Sequence, residues 1–196
     1  MSYIKFFRLS GLIAMLSFAV TLLFNIGLFA NFIPRSWEYW GYLVMTVLFT
    51  LALIGVYVRQ VDKAGYLGLV GFFLAEIGMF LSIIWFGYAS LVFPVLRTQF
   101  PEAIQSILGG PLGIAIMVNM YLGFLGNLIF YMATIRAKVL PAWGAWMVIA
   151  GLVIGFFPVP LNLGTIISAA GLAWLGYAMW SAQTKYAPSV QPQLAT

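Results

Sequence analysis

GFFLAEIGMFLSIIW, residues Gly71 to Trp85, sets one carboxylate, Glu76, in a run with no other charge. Such a run belongs either to the core of a large soluble domain or to a membrane span, and composition separates the two. Of 196 residues, 64% are hydrophobic and 7% are charged, and the mean hydropathy is +1.06. A soluble domain carries about 25% charged residues. A chain with this few cannot cover its surface with polar groups, so its apolar surface calls for lipid.

The charges bear this out by their placement. They gather at Lys5/Arg8, Arg35/Glu38, Arg59/Asp62/Lys63, Arg97/Glu102, Arg136/Lys138 and Lys185, with Glu76 standing apart. Between the clusters lie apolar runs of roughly 20 residues, the length a helix needs to cross a bilayer. The expected fold is an all-α membrane protein, a six-transmembrane-helix bundle with spans at about 9–31, 39–58, 66–93, 112–134, 142–158 and 161–181. Residues 1–184 form one domain on this reading, and 185–196, rich in Pro, Gln and Ser, form a disordered cytoplasmic tail. The first span follows Lys5 and Arg8 as a secretion signal would. Yet "GLFANF" offers no small-x-small cleavage site, so it is read as a span.

Basic residues orient the bundle. With the amino terminus inside, Lys5, Arg8, Arg59, Lys63, Arg136, Lys138 and Lys185 are cytoplasmic, against Arg35 and Arg97 outside. Short loops are where this bias is most informative, so both termini are expected in the cytoplasm. Trp37, Tyr39 and Trp40 mark an outer boundary, and Tyr57, Tyr66, Trp143, Trp146, Trp180 and Tyr186 mark inner ones. Trp85, Tyr121 and Trp174 are expected to fill the bundle instead. The general shape resembles that of small six-span bacterial membrane proteins, which implies the bacterial cytoplasmic membrane.

Two connections stand out. After Pro101, the spacing of Phe100, Ile104, Ile107 and Leu108 predicts a short amphipathic helix on the outer surface. "FFPVPLNLG", Phe156 to Gly164, turns the chain with almost no polar residue, after a span that is already short. A weak internal echo relates "VRQVDKAGYLGLVG" to "TIRAKVLPAWGAWM", each joining two spans through an inner loop.

Helices in lipid gain little from burying apolar surface against one another, so small residues that admit close approach must drive packing. Gly144, Gly151 and Gly155 share one face of the fifth span, and Gly164, Ser168 and Gly171 share one of the sixth. Gly68, Gly71, Ala75 and Gly78 do the same on the third, as do Asn119, Gly123 and Gly126 on the fourth. A tight hairpin of spans five and six, packed against three and four, is expected. Homodimerisation is the other use for these stripes.

Glu76 falls about 20 Å along its helix from Lys63, near mid-membrane. A charge there costs at least ~2.5–3.5 kcal/mol, so it should face the protein. With no lysine or arginine inside any span, the carboxyl is expected to be protonated at neutral pH and to donate a hydrogen bond. Depth counted from the basic loops gives Thr46, Asn119 and Asn127 as candidate partners, with Asn25 and Ser168 a little further out. The structural reading makes Glu76 a neutral acid joining helices. The functional one makes it a proton or cation site.

Cysteine and histidine are both absent, which removes thiolate and imidazole metal sites, disulfides and His-ligated haem. No cofactor is expected, though a bound lipid or pigment fits. Scattered basic residues make no nucleic-acid patch, "GGPLG" lacks the Lys-Ser/Thr of a phosphate loop, and Asp62 is the only aspartate. Three functions follow. The first is a non-catalytic subunit or packing and lipid-binding component of a membrane assembly. The second is a small carrier of a hydrophobic or cationic solute coupled through Glu76. The third is a membrane enzyme acting on a lipid or quinone, although no enzyme chemistry is expected.

Overall fold

The computed structural model describes residues 3–157 and 159–181; the expected tail lies outside them. Among these residues every regular element is a helix. It runs α1 (Tyr3–Phe29), α2 (Glu38–Gln99), α3 (Pro101–Gly109), α4 (Pro111–Ala137), α5 (Ala142–Ile154) and α6 (Leu163–Ser181), with single 3₁₀ turns at Arg35–Trp37 and Pro160–Asn162. Prolines at the starts of α3 and α4 and just before α5 suit helix beginnings, where a missing N–H is no loss. α3 is the short helix expected after Pro101.

α2 has 62 residues but is a hairpin. At Gly65 the backbone takes φ 58 and ψ −164, a region open essentially to glycine alone. A straight helix would hold Tyr57 and Phe72 about 22 Å apart. Their rings stack with centroids 4.2 Å apart. Tyr42 meets Phe86 at 5.4 Å and Tyr39 meets Phe93 at 5.5 Å, so the arms 38–64 and 66–99 lie antiparallel along their whole length. Tyr39 and Tyr57 are thus ring partners within the bundle. Tyr121 and Trp174, expected inside, face outward, 59% and 52% exposed.

Four stretches are long and apolar enough to cross a membrane: Lys5–Phe29, Arg35–Gln99, Pro111–Ala137 and Pro160–Ser181. α5 is apolar but only 13 residues long. At 1.5 Å per residue it spans about 20 Å, less than a ~30 Å hydrocarbon core. The fifth segment, read as 142–158, stops at Ile154, where the Gly155 N–H donates to the Gly151 carbonyl (2.9 Å) and the chain turns. The outer faces carry Leu23, Phe73, Phe80, Ile84, Leu91 and Ile114, all exposed. Contiguous apolar surface of this kind is rare on soluble monomers and needs an apolar surrounding.

Glycine decides which helices touch. A Cβ at Gly71 would lie 2.5 Å from the Phe130 nitrogen, and one at Gly78 2.5 Å from the Gly123 Cα, so the second arm of α2 and α4 meet backbone to backbone. α5 and α6 do likewise, through Gly151 against the Gly164 carbonyl (2.5 Å) and Gly171 against the Gly144 carbonyl (2.5 Å). The α5–α6 hairpin does not, however, lie chiefly on spans three and four. α6 packs mainly on α1, where Gly11 faces the Gly176 carbonyl, while α5 makes a lesser contact with α4. The reason is visible on α1: Ser10, Ala14, Ser17, Thr21 and Asn25 form one buried face of small and polar residues that accepts a close neighbour.

Candidate functional site

The ends of the bundle differ. At one, here the Arg59 end, Gln60 is buried and donates from Nε2 to Thr134 Oγ1 at 2.7 Å, tying the first arm of α2 to α4. The Arg59 guanidinium lies over the Phe7 ring, 5.3 Å from its centroid. These groups lock helices together.

The other, the Arg35 end, is open. A cavity of ≈ 540 Å³ lies among both arms of α2, α4 and the α5–α6 hairpin. Phe49, Phe86, Phe124, Met45, Met79 and Met120 supply its apolar wall, and Thr46, Thr165 and Ser168 give it isolated hydroxyls. Phe156 closes one side, edge-on to Phe124 at 4.7 Å and stacked near Tyr121 at 6.5 Å. Met120 and Phe156 are exposed, so the cavity opens sideways between α4 and the α5–α6 turn. Its volume falls within the roughly 300–1,000 Å³ of ligand pockets, and the lining has their usual make-up of apolar walls with few polar groups.

Above it sits a second, smaller cavity of ≈ 170 Å³, bounded by Asn25, Arg35, Glu38, Tyr42 and Asn162. Asn162 anchors this region. The turn puts Leu161 at φ 61 and Asn162 at φ 47, a left-handed conformation that asparagine tolerates better than most. From there Asn162 Nδ2 donates to Tyr42 Oη (2.8 Å) and to Asn25 Oδ1 (3.0 Å), while Asn25 Nδ2 donates to the Thr21 carbonyl (2.8 Å). The Tyr42 hydroxyl reaches Glu38 Oε1 at 3.5 Å. A polar chain therefore joins α1, α2 and the α5–α6 turn, and Tyr42 and Asn162 form a wall common to both cavities.

The six polar residues singled out in the sequence do not form one cluster. Thr46 and Ser168 line the large cavity, and Asn25 belongs to the polar chain. Asn119 donates to Ser82 Oγ (3.0 Å), and Asn127 to the Gly123 carbonyl of its own helix (2.8 Å). Glu76 Oε1 is buried with no hydrogen-bond partner among the described residues. Ring pairing within α2 brings Glu76 level with Leu53, about two turns from Thr46. Counting from the loops misjudged this because the arms reverse at a single residue, Gly65, which shifts the register. Met79, one turn beyond Glu76, belongs to the cavity wall, but Glu76 does not.

Of the packing residues, Gly144, Gly151, Gly164, Ser168 and Gly171 all lie in the α5–α6 contact. Gly155 lies in it too, against Gly164, and it also caps α5 and lines the cavity. Tyr42, Asn162, Glu38 and Gln60 were not singled out from sequence. Tyr42 and Gln60 look like ordinary boundary residues, and Asn162 sits in an otherwise apolar turn. The one signal was Asn162 itself, a lone amide where the chain must reverse. Among the described residues no group of acidic side chains could hold a metal ion. No family model matches the chain, and neither a curated protein nor a solved structure matches it.

Proposed function

We propose that the chain is a six-span integral membrane protein of the bacterial cytoplasmic membrane, both termini inside, serving as a non-catalytic lipid-binding component of a membrane assembly. The hairpin at Gly65 divides Arg35–Gln99 into two arms each long enough to cross, which makes five long passes, and the short apolar α5 would supply the sixth where the bilayer thins around it. The orientation rests on the excess of basic residues at the Arg59 end. The absence of native cysteine makes it testable: Ser36→Cys should react with an impermeant maleimide in intact cells, and Lys63→Cys only after permeabilisation.

The observation that carries the lipid-binding reading is the laterally open apolar cavity at the Arg35 end. An apolar space of this size, reached from the bilayer, is filled by an acyl chain more readily than by water, which needs several polar partners. Native mass spectrometry on protein drawn from its own membranes in mild detergent tests this directly. Retained lipid, with companion subunits, is the expected result. Protein arriving bare and alone would overturn the reading.

The unpartnered Oε1 of Glu76 favours a second reading, a carrier exchanging a proton or cation for a hydrophobic solute. On that reading Glu76→Gln abolishes pH-dependent solute binding while the folded yield is unchanged. On the first reading Gln at this position leaves retained lipid unaltered.

A further inference from the structure

The two cavities at the Arg35 end differ in character and share a wall. The larger is apolar; the smaller holds a cation and an anion, Arg35 and Glu38, beside the amides of Asn25 and Asn162. Among the described residues neither charge is engaged in an ion pair, although both border one small space. Exposed Trp37 and Trp40 flank them at the level where indole rings favour a bilayer interface. A cavity with opposite charges at its interfacial mouth and an apolar chamber beneath has the polarity of a single lipid molecule.

We propose that this site holds one phospholipid with a zwitterionic head, its phosphate against Arg35, its ammonium against Glu38 and an acyl chain in the larger cavity. This rests on the lipid-binding reading above and adds the class of lipid and the residues that choose it. Arg35 offers a planar, permanently charged donor set suited to phosphate oxygens. The Glu38 carboxylate accepts hydrogen bonds and donates none, so it favours a head that can donate. An anionic lipid lacking the ammonium could offer Glu38 a hydroxyl but no positive charge, and its net negative head would be repelled by the carboxylate, which is discrimination by repulsion as well as attraction. Tyr42 and Asn162, held by their mutual hydrogen bond, give the region between head and chain a fixed polar edge.

The test is competition. Full-length protein stripped of lipid is equilibrated with an equimolar mixture of phosphatidylethanolamine and phosphatidylglycerol, and the bound species are counted by native mass spectrometry. Wild type should retain one ethanolamine lipid with a preference of about tenfold, the scale of one charge-assisted hydrogen bond. Glu38→Gln should erase that preference while keeping a lipid bound, and Arg35→Gln should reduce retention of both lipids. Both substitutions lie at the bundle's rim, where folding tolerates them. If wild type holds both lipids equally, or if Glu38→Gln leaves the preference intact, the head assignment fails and the lipid-binding reading survives. If wild type retains neither lipid, both fall together.

Discussion

Two hairpins in this molecule are built on opposite plans. In α5–α6, glycine faces backbone at Gly144/Gly171 and again at Gly151/Gly164, so the two helices meet backbone to backbone there. Within α2, the arms meet ring against ring at Tyr57/Phe72, Tyr42/Phe86 and Tyr39/Phe93. Rings hold backbones apart, and near Phe49, Phe86 and Met79 the separation becomes part of a cavity. Glycine contacts make a rigid wall; aromatic contacts make a wall with room beside it. The large cavity forms where the two plans meet.

The comparison breaks most severely at Gly151. A Cβ there would lie 2.5 Å from the Gly164 carbonyl and from the Ser168 nitrogen, backbone atoms that cannot step aside. Gly151→Leu should cost ~3 kcal/mol or more by overpacking, read as a lower unfolding midpoint in detergent. Gly65→Ala should cost about 2 kcal/mol for a different reason: nothing lies within 4 Å of a Cβ there, so the penalty is purely backbone. Gly87→Ala is its control. Space around Gly87 is equally open but its backbone is helical, so alanine should be neutral or slightly stabilising in the same thermal assay.

Thr134→Val removes the acceptor of the buried Gln60 amide and should cost about 1.5 kcal/mol, visible as faster proteolysis within the Gly65 turn. The smallest effect is expected at Tyr57→Leu. An apolar side chain is kept and only the stacked geometry is lost, about 1 kcal/mol in the same thermal assay. If Tyr57→Leu proved worse than Gly151→Leu, the contrast between the hairpins would be wrong.

Much of the fold was legible because it depends on local composition. Apolar run lengths and charge clusters located the helices, and Pro101 marked the start of the short α3. Four-residue glycine spacing indicated close packing, and the α5–α6 contact uses those residues. Which neighbour each stripe meets was not legible, because α1 also offers a face of small residues and spacing alone does not rank the two. The candidate site was less legible still. Glu76 drew attention as the one charge in an apolar run, yet the cavity lies a turn away, built from Tyr, Phe and Met side chains that look like any membrane core.

The sequence by itself determined a helical chain whose surface demands an apolar surrounding, since that follows from how few charges it carries and where they sit. It also located the connections between helices to within a few residues, although α5 ends at Ile154 rather than at 158. Tertiary structure alone decided that Asn162 reaches Asn25 and Tyr42, that Thr46 parts company with Glu76, and that Arg35 and Glu38 border one small space. Those facts depend on register between helices distant in the chain. Register is set by a single left-handed glycine and by which small-residue faces meet, quantities that no local window of sequence contains.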